Sequence, residues 1–323
     1  MADPSGTVAT TTVEVADVLD SAAARCGIQP AQMTPEIVAA LRRNLYLILS
    51  RLANRGAALW TVERVLLPLR TDQTSYTLWP GTLAVLNASY RAPTRLAYTG
   101  NPTATLTAGA AAVAYVGLLP SATGTATLVF EVSDDGLAWT AVSAPGATAL
   151  TAGAWLWYSV DPAPAAAQFR VRATAGSFSL ADLHLSNAGQ EIPMYQLNRD
   201  DYAALPDKRV SGQPLQFLFD RRDPPVMHLW PMPATAEAHV IYWRQRQPQD
   251  VGDLTHRLDL PARWLDAVIY KLAAQSIMEL PGADLARQAT LLQLATAYEQ
   301  EAADDETDHG PRRMHPAIRG YTR

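Results

Sequence analysis

Cysteine is almost absent: Cys26 stands alone among 323 residues. That excludes an internal disulfide framework and removes the usual thiolate patterns of structural zinc. Cys26 itself reads as a small buried apolar residue. Long apolar runs are missing too, since no stretch approaches the roughly 20 residues needed to cross a bilayer. The opening "MADPSGTVATTTVEV" has no basic start ahead of an apolar core, so no secretory signal is expected. A soluble protein made in a cytoplasm is the expectation. Positive charge is in deficit: 26 Lys and Arg against 31 Asp and Glu leave a net charge of −5. This is the wrong sign for a protein that holds nucleic acid by neutralising phosphates.

Catalytic signatures are equally scarce. There is no glycine-rich phosphate loop with a following lysine, no G-x-S-x-G and no H-E-x-x-H. The six histidines, His184, His228, His239, His256, His309 and His315, lack metal-ligand spacing and read as structural. The acidic run Asp304, Asp305, Glu306, Asp308 reads as a solvated helix end, because calcium sites space their ligands around a glycine turn and this run does not. No paired carboxylates with separable roles are visible. An enzyme is therefore not expected, nor a cofactor, nor a bound metal.

What is present is a sequence of distinct blocks. Residues 13–26 show helical spacing with Val15, Val18, Leu19 and Ala22 on one face. Thr34, Pro35 and Glu36 then make a strong helix start: a hydroxyl cap, proline in the first turn and an acid at the positive dipole end. Ile37, Val38, Leu41, Leu45, Ile48, Leu49 and Leu52 form one apolar stripe of this second helix, with Arg42, Arg43, Ser50, Arg51 and Asn54 opposite. Gly56 supplies its stop. Leu59 and Trp60 follow at once and are expected to anchor the β body against that helix. Strands are predicted at 61–69, 74–79 and 83–91.

Composition shifts after Arg91. From about 96 to 186 the chain is rich in Ala, Thr, Gly and Ser and broken into short alternating segments such as "TATLVFEVS", "WLWYSVD" and "QFRVRAT". This predicts an inserted β module, a sandwich or jelly roll. Within it, "EVSDDGLAWTAV" places a turn at Ser133, Asp134, Asp135 and Gly136, with Trp139 packing back across the strands. The stretch is weakly similar to turns of discoidin-like and other carbohydrate-binding jelly rolls. The plainer reading has the tryptophan in the sandwich core and the two aspartates shaping the turn.

After the module, "EIPMYQL" and "PLQFLFD" read as strands around a short helix near "RDDYAAL". "PVMHLWPMP" and "AHVIYWRQRQ" are expected to pair with each other. The chain returns to helix in "LDLPARWLDAVIYKLAAQSIMELPG" and again from about 284 to 303. The predicted class is α+β: helices from both ends of the chain on a central β body, with the β-sandwich module inserted. The blocks are 1–95, 96–186, 187–303 and an extended tail, 304–323.

Set in this order, "VADVLDSAAARCGIQP", "LRRNLYLILSRLANRGAALW", "YTLWPG", "LWPMP", "VIYWRQRQPQD" and "LDLPARWLDAVIYKLAAQSI" resemble the head-to-tail connector, or adaptor, proteins of short-tailed bacteriophages. The resemblance covers roughly 13–91 and 190–303; the inserted module departs from it. It implies a virion structural protein at the capsid-tail junction, assembled in the host cytoplasm. Such proteins form a ring beneath the portal, usually of twelve copies, that extends the DNA channel, helps retain packaged DNA and carries the next, nozzle-side tail protein. DNA would pass through the lumen without specific binding, as a net negative ring suits, and no membrane would be involved.

Ring closure needs two complementary faces on each subunit. Arg42, Arg43 and Arg51 are candidates for one, and Glu299, Glu301 and Asp304 for the other. The tail "HGPRRMHPAIRGYTR" carries Arg312, Arg313, Met314, Ile318 and Tyr321 as candidate portal contacts. A second reading makes the chain a binder of host-surface glycan, using Asp134, Asp135, Trp155 and Trp157 on the module's surface. Strand alternation puts Trp155 and Trp157 on one face and Leu156 and Tyr158 on the other, and one of those faces must be core.

Overall fold

The computed structural model describes residues 13–54, 59–92, 95–96, 99–101, 105–107, 113–160, 166–187 and 190–306. The chain divides into two compact units, Met1–Thr61 with Gln247–Arg323, and Val62–Arg246. The first is helical and the second is built of strands, so the α+β class holds.

In chain order α1 (Val15–Arg25) and α2 (Pro35–Asn54) come first. β1 (Val62–Pro68), β2 (Ser75–Thr77) and β3 (Thr82–Arg91) begin the strand unit. β4 (Thr99–Asn101), β5 (Thr105–Thr107), β6 (Tyr115–Pro120), β7 (Gly124–Ser133), β8 (Thr140–Leu150), β9 (Leu156–Ser159), β10 (Gln168–Gly176) and β11 (Leu180–Ser186) form the inserted module. β12 (Glu191–Pro193), β13 (Tyr195–Leu197), the short helix α3 (Arg199–Ala203), β14 (Ser211–Gly212) and β15 (Gln216–Asp220) follow. β16 (Val226–Trp230), β17 (Met232–Pro233) and β18 (His239–Arg246) complete the unit, and α4 (Ala262–Ser276) and α5 (Gln288–Asp305) close the described chain.

In the helical unit the predicted stripes are the core. Val15, Val18, Leu19 and Ala22 of α1 meet Leu41, Leu45 and Ile48 of α2 and Trp264, Val268 and Leu272 of α4. Local chemistry sets the helix starts: the Asp17 carboxylate accepts the Glu14 backbone N–H at 3.1 Å, and Thr34 Oγ1 accepts that of Ile37 at 3.4 Å, as first-turn donors require. Cys26 is buried here, and burial pushes its thiol up to about 11, as expected of a packing residue. The predicted stop, Gly56, lies outside the described residues.

In the strand unit two sheets make the body. One has the order β1-β18-β3-β12 and the other β13-β15-β16-β2, and they share a core of Tyr76, Val85, Phe217, Met227, Leu229, Val240 and Tyr242. The expected pairing of "PVMHLWPMP" with "AHVIYWRQRQ" does not occur. β16 lies between β15 and β2, whereas β18 lies between β1 and β3. The reason is burial on both faces of β18: Val240 and Tyr242 enter the shared core while Ile241 is buried on the opposite side, so this strand belongs in the middle of a sheet.

The module is a five-stranded sheet, β4-β5-β10-β7-β8, and a three-stranded sheet, β11-β6-β9. Val116, Leu118, Leu183 and Leu185 from the smaller sheet meet Leu128, Phe130, Phe169 and Val171 from the larger in one core. The smaller sheet is buried on its other face as well. There Tyr115, Trp155 and Trp157 pack with Ile241 and Leu66 of the body, so module and body are joined by an apolar seam within one unit.

Candidate functional site

The helical unit carries the residues expected to face neighbouring copies. Along the exposed side of α2 run Ala39, Arg42, Arg43, Tyr46, Leu47 and Arg51. Tyr46 is 45% exposed and Leu47 42%, so two large apolar side chains stand in water among three arginines. A groove of about 930 Å³ opens beside them. Its lining is largely apolar, with Met33, Val38, Tyr46, Val251 and Leu254, while Arg42, Arg43 and Asp250 supply its charges. Arg42 donates to the Val251 carbonyl at 3.3 Å and Arg43 forms an exposed pair with Glu279 at 3.3 Å. Arg51 has no partner among the described residues.

The acidic candidates divide. Glu301, Asp304 and Asp305 are exposed on α5. Glu299 is not available in the same way, because its carboxylate holds Lys271 of α4 at 2.7 Å in a largely buried pair, and it is corrected to an internal tie. The end of α5 is also not uniformly solvated. Glu306 is buried: it takes Arg263 at 2.5 Å, the Trp264 indole N–H at 3.1 Å and the Trp60 backbone N–H at 3.3 Å. A buried carboxylate is tolerated when donors converge on it in this way. Its sequence signal was lost in a run of exposed acids.

Trp60 is half-buried, with its ring 5.4 Å from that of Trp264, and it packs on the helical core. The ring contact described for Trp60 is with α4. Leu59 begins the 3-10 turn Leu59–Thr61, and its side chain lies outside the described residues. So do the candidate tail contacts Arg312, Arg313, Met314, Ile318 and Tyr321.

On the module, Asp134 and Asp135 are exposed at the predicted turn. Asp135 Oδ1 accepts the backbone N–H groups of Leu137 at 2.8 Å and Ala138 at 3.0 Å, which hold its carboxyl below the usual range. Gly136 sits at φ +74°, where a side chain would be strained. Trp139 does not fill the sandwich core; it is half-buried beneath Arg170, whose guanidinium lies 4.0 Å from the ring centroid.

Trp155 and Trp157 are 7% and 6% exposed, stacked at 5.7 Å and turned to the body. They form no surface platform, which corrects that expectation. Alternation along β9 still holds, but both of its faces are core: Leu156 and Tyr158 pack into the sandwich while the tryptophans fill the seam. Two histidines lie in the seam, His184 at 5.0 Å and His239 at 4.8 Å from Trp157. His239 is fully buried, and neither ring nitrogen has a hydrogen-bond partner among the described residues. Burial first, then the charges of Arg91 and Arg64, push it down to about 3, so the ring is neutral at physiological pH.

One hydroxyl–imidazole pair occurs in the body: Ser75 Oγ and His228 Nδ1 are 2.8 Å apart across β2 and β16. The carboxylate nearest in effect, Asp220, bonds Arg199 at 3.2 Å instead, so the orienting bond of a triad is missing among the described residues. No cluster of three potential metal ligands occurs among the described residues, and no described helix is long and apolar enough to cross a membrane. No protein-family model matches the chain, and no curated protein matches it either.

Proposed function

We propose that this protein is a virion structural component, a connector that forms a ring beneath the portal, joins capsid to tail, extends the DNA channel and helps retain packaged DNA. The observation that carries the reading is the nested architecture. Both halves of one helical unit come from opposite ends of the chain, and α1, α2 and α4 within it contain segments that resemble connectors. The strand unit between them holds the body and the module. Two exposed sides of one helical unit built from both ends of the chain can serve as the complementary faces that assembly needs. The portal and the next tail protein are its proposed partners, with DNA passing through unbound.

The test is the mass and symmetry of the full-length protein, alone and mixed with a portal ring, by native mass spectrometry and negative-stain imaging. A closed ring on the portal is expected, and its attachment should weaken when residues 310–323 are deleted. A protein that leaves the portal ring unchanged in mass and is retained on a glycan array would overturn the reading in favour of recognition by the module.

A further inference from the structure

We infer that the seam between module and body is an acid-operated latch: closed at neutral pH, it opens in mild acid and lets the module part from the body while both stay folded. The inference is independent of the connector reading.

Each side of the seam contributes one buried histidine, placed on its strand between residues of a different core. On β18, Val240 and Tyr242 enter the body's core, so alternation turns His239 and Ile241 toward the module. On β11, Leu183 and Leu185 enter the sandwich core, and His184 turns toward the body, where Glu237 lies 3.6 Å from its Nδ1. His239 is 0% exposed and His184 2%. The module covers His239 with Tyr115, at 5.3 Å between ring centroids, and Trp157, at 4.8 Å. Moving the module away therefore uncovers His239 without opening the body's core.

The closed seam cannot house a charged His239. Neither ring nitrogen has a hydrogen-bond partner among the described residues. Around the ring stand Arg91 on β3, Arg64 on β1, Tyr115 on β6 and His184 on β11. Glu191 of β12 bonds both arginines and offsets only one of their two charges. Burial first, then the arginine charges, hold the ring down to about 3, so the closed form stays neutral where an exposed histidine would charge. Below the ordinary value of 6.5, each unit of pH favours the open form about tenfold through uptake of one proton. His184, by contrast, has the Glu237 carboxylate beside it to receive a charged ring, as charge-assisted bonds allow. That leaves His239 as the trigger.

Opening disturbs little else. Module and body each keep a core of their own, so parting exposes only the small cluster of Ala114, Tyr115, Trp155, Trp157 and Ile241 with its partly buried neighbours. The Arg64 bond to the Tyr115 hydroxyl at 2.7 Å and the Glu237 approach to His184 are the polar ties across it, and Arg64 and Glu237 both reach solvent, where such ties contribute little. The chain enters and leaves the module side by side, Arg91 pairing with Glu191 and Arg95 with Ser186. No strand of the body's sheets has to be withdrawn. The face laid bare carries the stacked Trp155 and Trp157, which makes opening visible.

The latch is tested on the full chain by acrylamide quenching of tryptophan emission and by the radius of gyration from X-ray scattering, with far-UV circular dichroism alongside. The range runs from about pH 7.5 to about 4.5, spanning the ordinary histidine value. The wild type should become more quenchable and more extended as pH falls, reversibly, with its far-UV spectrum unchanged. His239→Leu keeps the seam apolar and removes the proton site, so it should stay closed to at least about one pH unit lower. His239→Gln, a second neutral replacement, should behave likewise. Gly117→Ala puts a Cβ 2.9 Å from the Trp157 ring and should open about one unit higher.

Quenching and radius both unchanged down to about pH 4.5 would overturn the inference. So would a far-UV signal lost at the same pH as quenching rises, because the whole chain would then be unfolding. A midpoint shared by the wild type and both His239 variants would overturn it as well, by placing the trigger on another group.

Discussion

Two aromatic clusters in this molecule are built on opposite terms. At Trp60, Trp264 and Glu306 a buried carboxylate gathers donors from three residues, Trp60, Arg263 and Trp264, two of them through N–H groups of tryptophan. In the seam, Trp155, Trp157, His184 and His239 pack as rings against rings. There the Trp157 indole nitrogen and both His239 nitrogens lack hydrogen-bond partners among the described residues. The first cluster is held by charge and breaks when a partner is removed; the second is held by burial and breaks when a charge is introduced. Tryptophan content alone distinguishes neither from a binding surface.

Acid should break the seam first. Below the ordinary histidine value of 6.5, an unfolded chain takes up a proton at His239 while the folded one refuses it until about 3. Stability therefore falls as pH drops through that window, by roughly 1.4 kcal/mol per unit and on the order of 3 kcal/mol in total by pH 4. His239 faces Arg91, Arg64, Tyr115 and His184, with Glu191 bonded to both arginines, so protonation would add a cation to a site that already holds two. Denaturant melts from pH 7 to 4 should show the slope in the wild type and a shallower one in His239→Leu; equal slopes would show that other groups govern it.

The charge-held cluster should fail by mutation instead. Glu306→Ala leaves the Trp264 indole N–H and the Trp60 amide without an acceptor and is expected to cost about 3 kcal/mol, read as a lowered denaturant midpoint. Glu306→Gln should recover part of that loss, and a neutral Glu306→Ala would show that water serves these donors equally well. Trp60→Ala should cost about 2–3 kcal/mol, below the range for fully buried tryptophan because the ring is half-exposed. A melt shifted by under about 1 kcal/mol would make Trp60 a contact residue without structural weight.

The smallest of the four effects sharpens the seam. Gly117 on β6 faces the Trp157 ring, and a Cβ placed there would lie 2.9 Å from it. Gly117→Ala should therefore cost about 1–2 kcal/mol and alter tryptophan fluorescence by moving the ring. An unchanged emission spectrum together with unchanged stability would show that the seam has room to give.

Much of the helical unit was legible in the residues. Apolar spacing and first-turn chemistry act within a few positions of each other, so α1, α2 and α4 and their buried faces follow from local sequence. The exposed arginines of α2 and acids at 301 and 304 were legible for the same reason. Glu299 and Glu306 were not, because what distinguishes them from Glu301 is Lys271 and Arg263 on another helix. Trp60 was read as an anchor, but its ring partner was not legible, because the fold brings to it a ring 204 residues later in the chain.

By itself the sequence determined the class of the elements and the alternation that separates Trp155 and Trp157 from Leu156 and Tyr158. Periodicity is a property of one segment and its own backbone. Only the tertiary structure decided that β18 lies between β1 and β3, that the module's smaller sheet is covered on both faces, and that two histidines are buried in the seam. Those outcomes depend on which distant surfaces remove the most apolar area from water together, and no single segment carries that information.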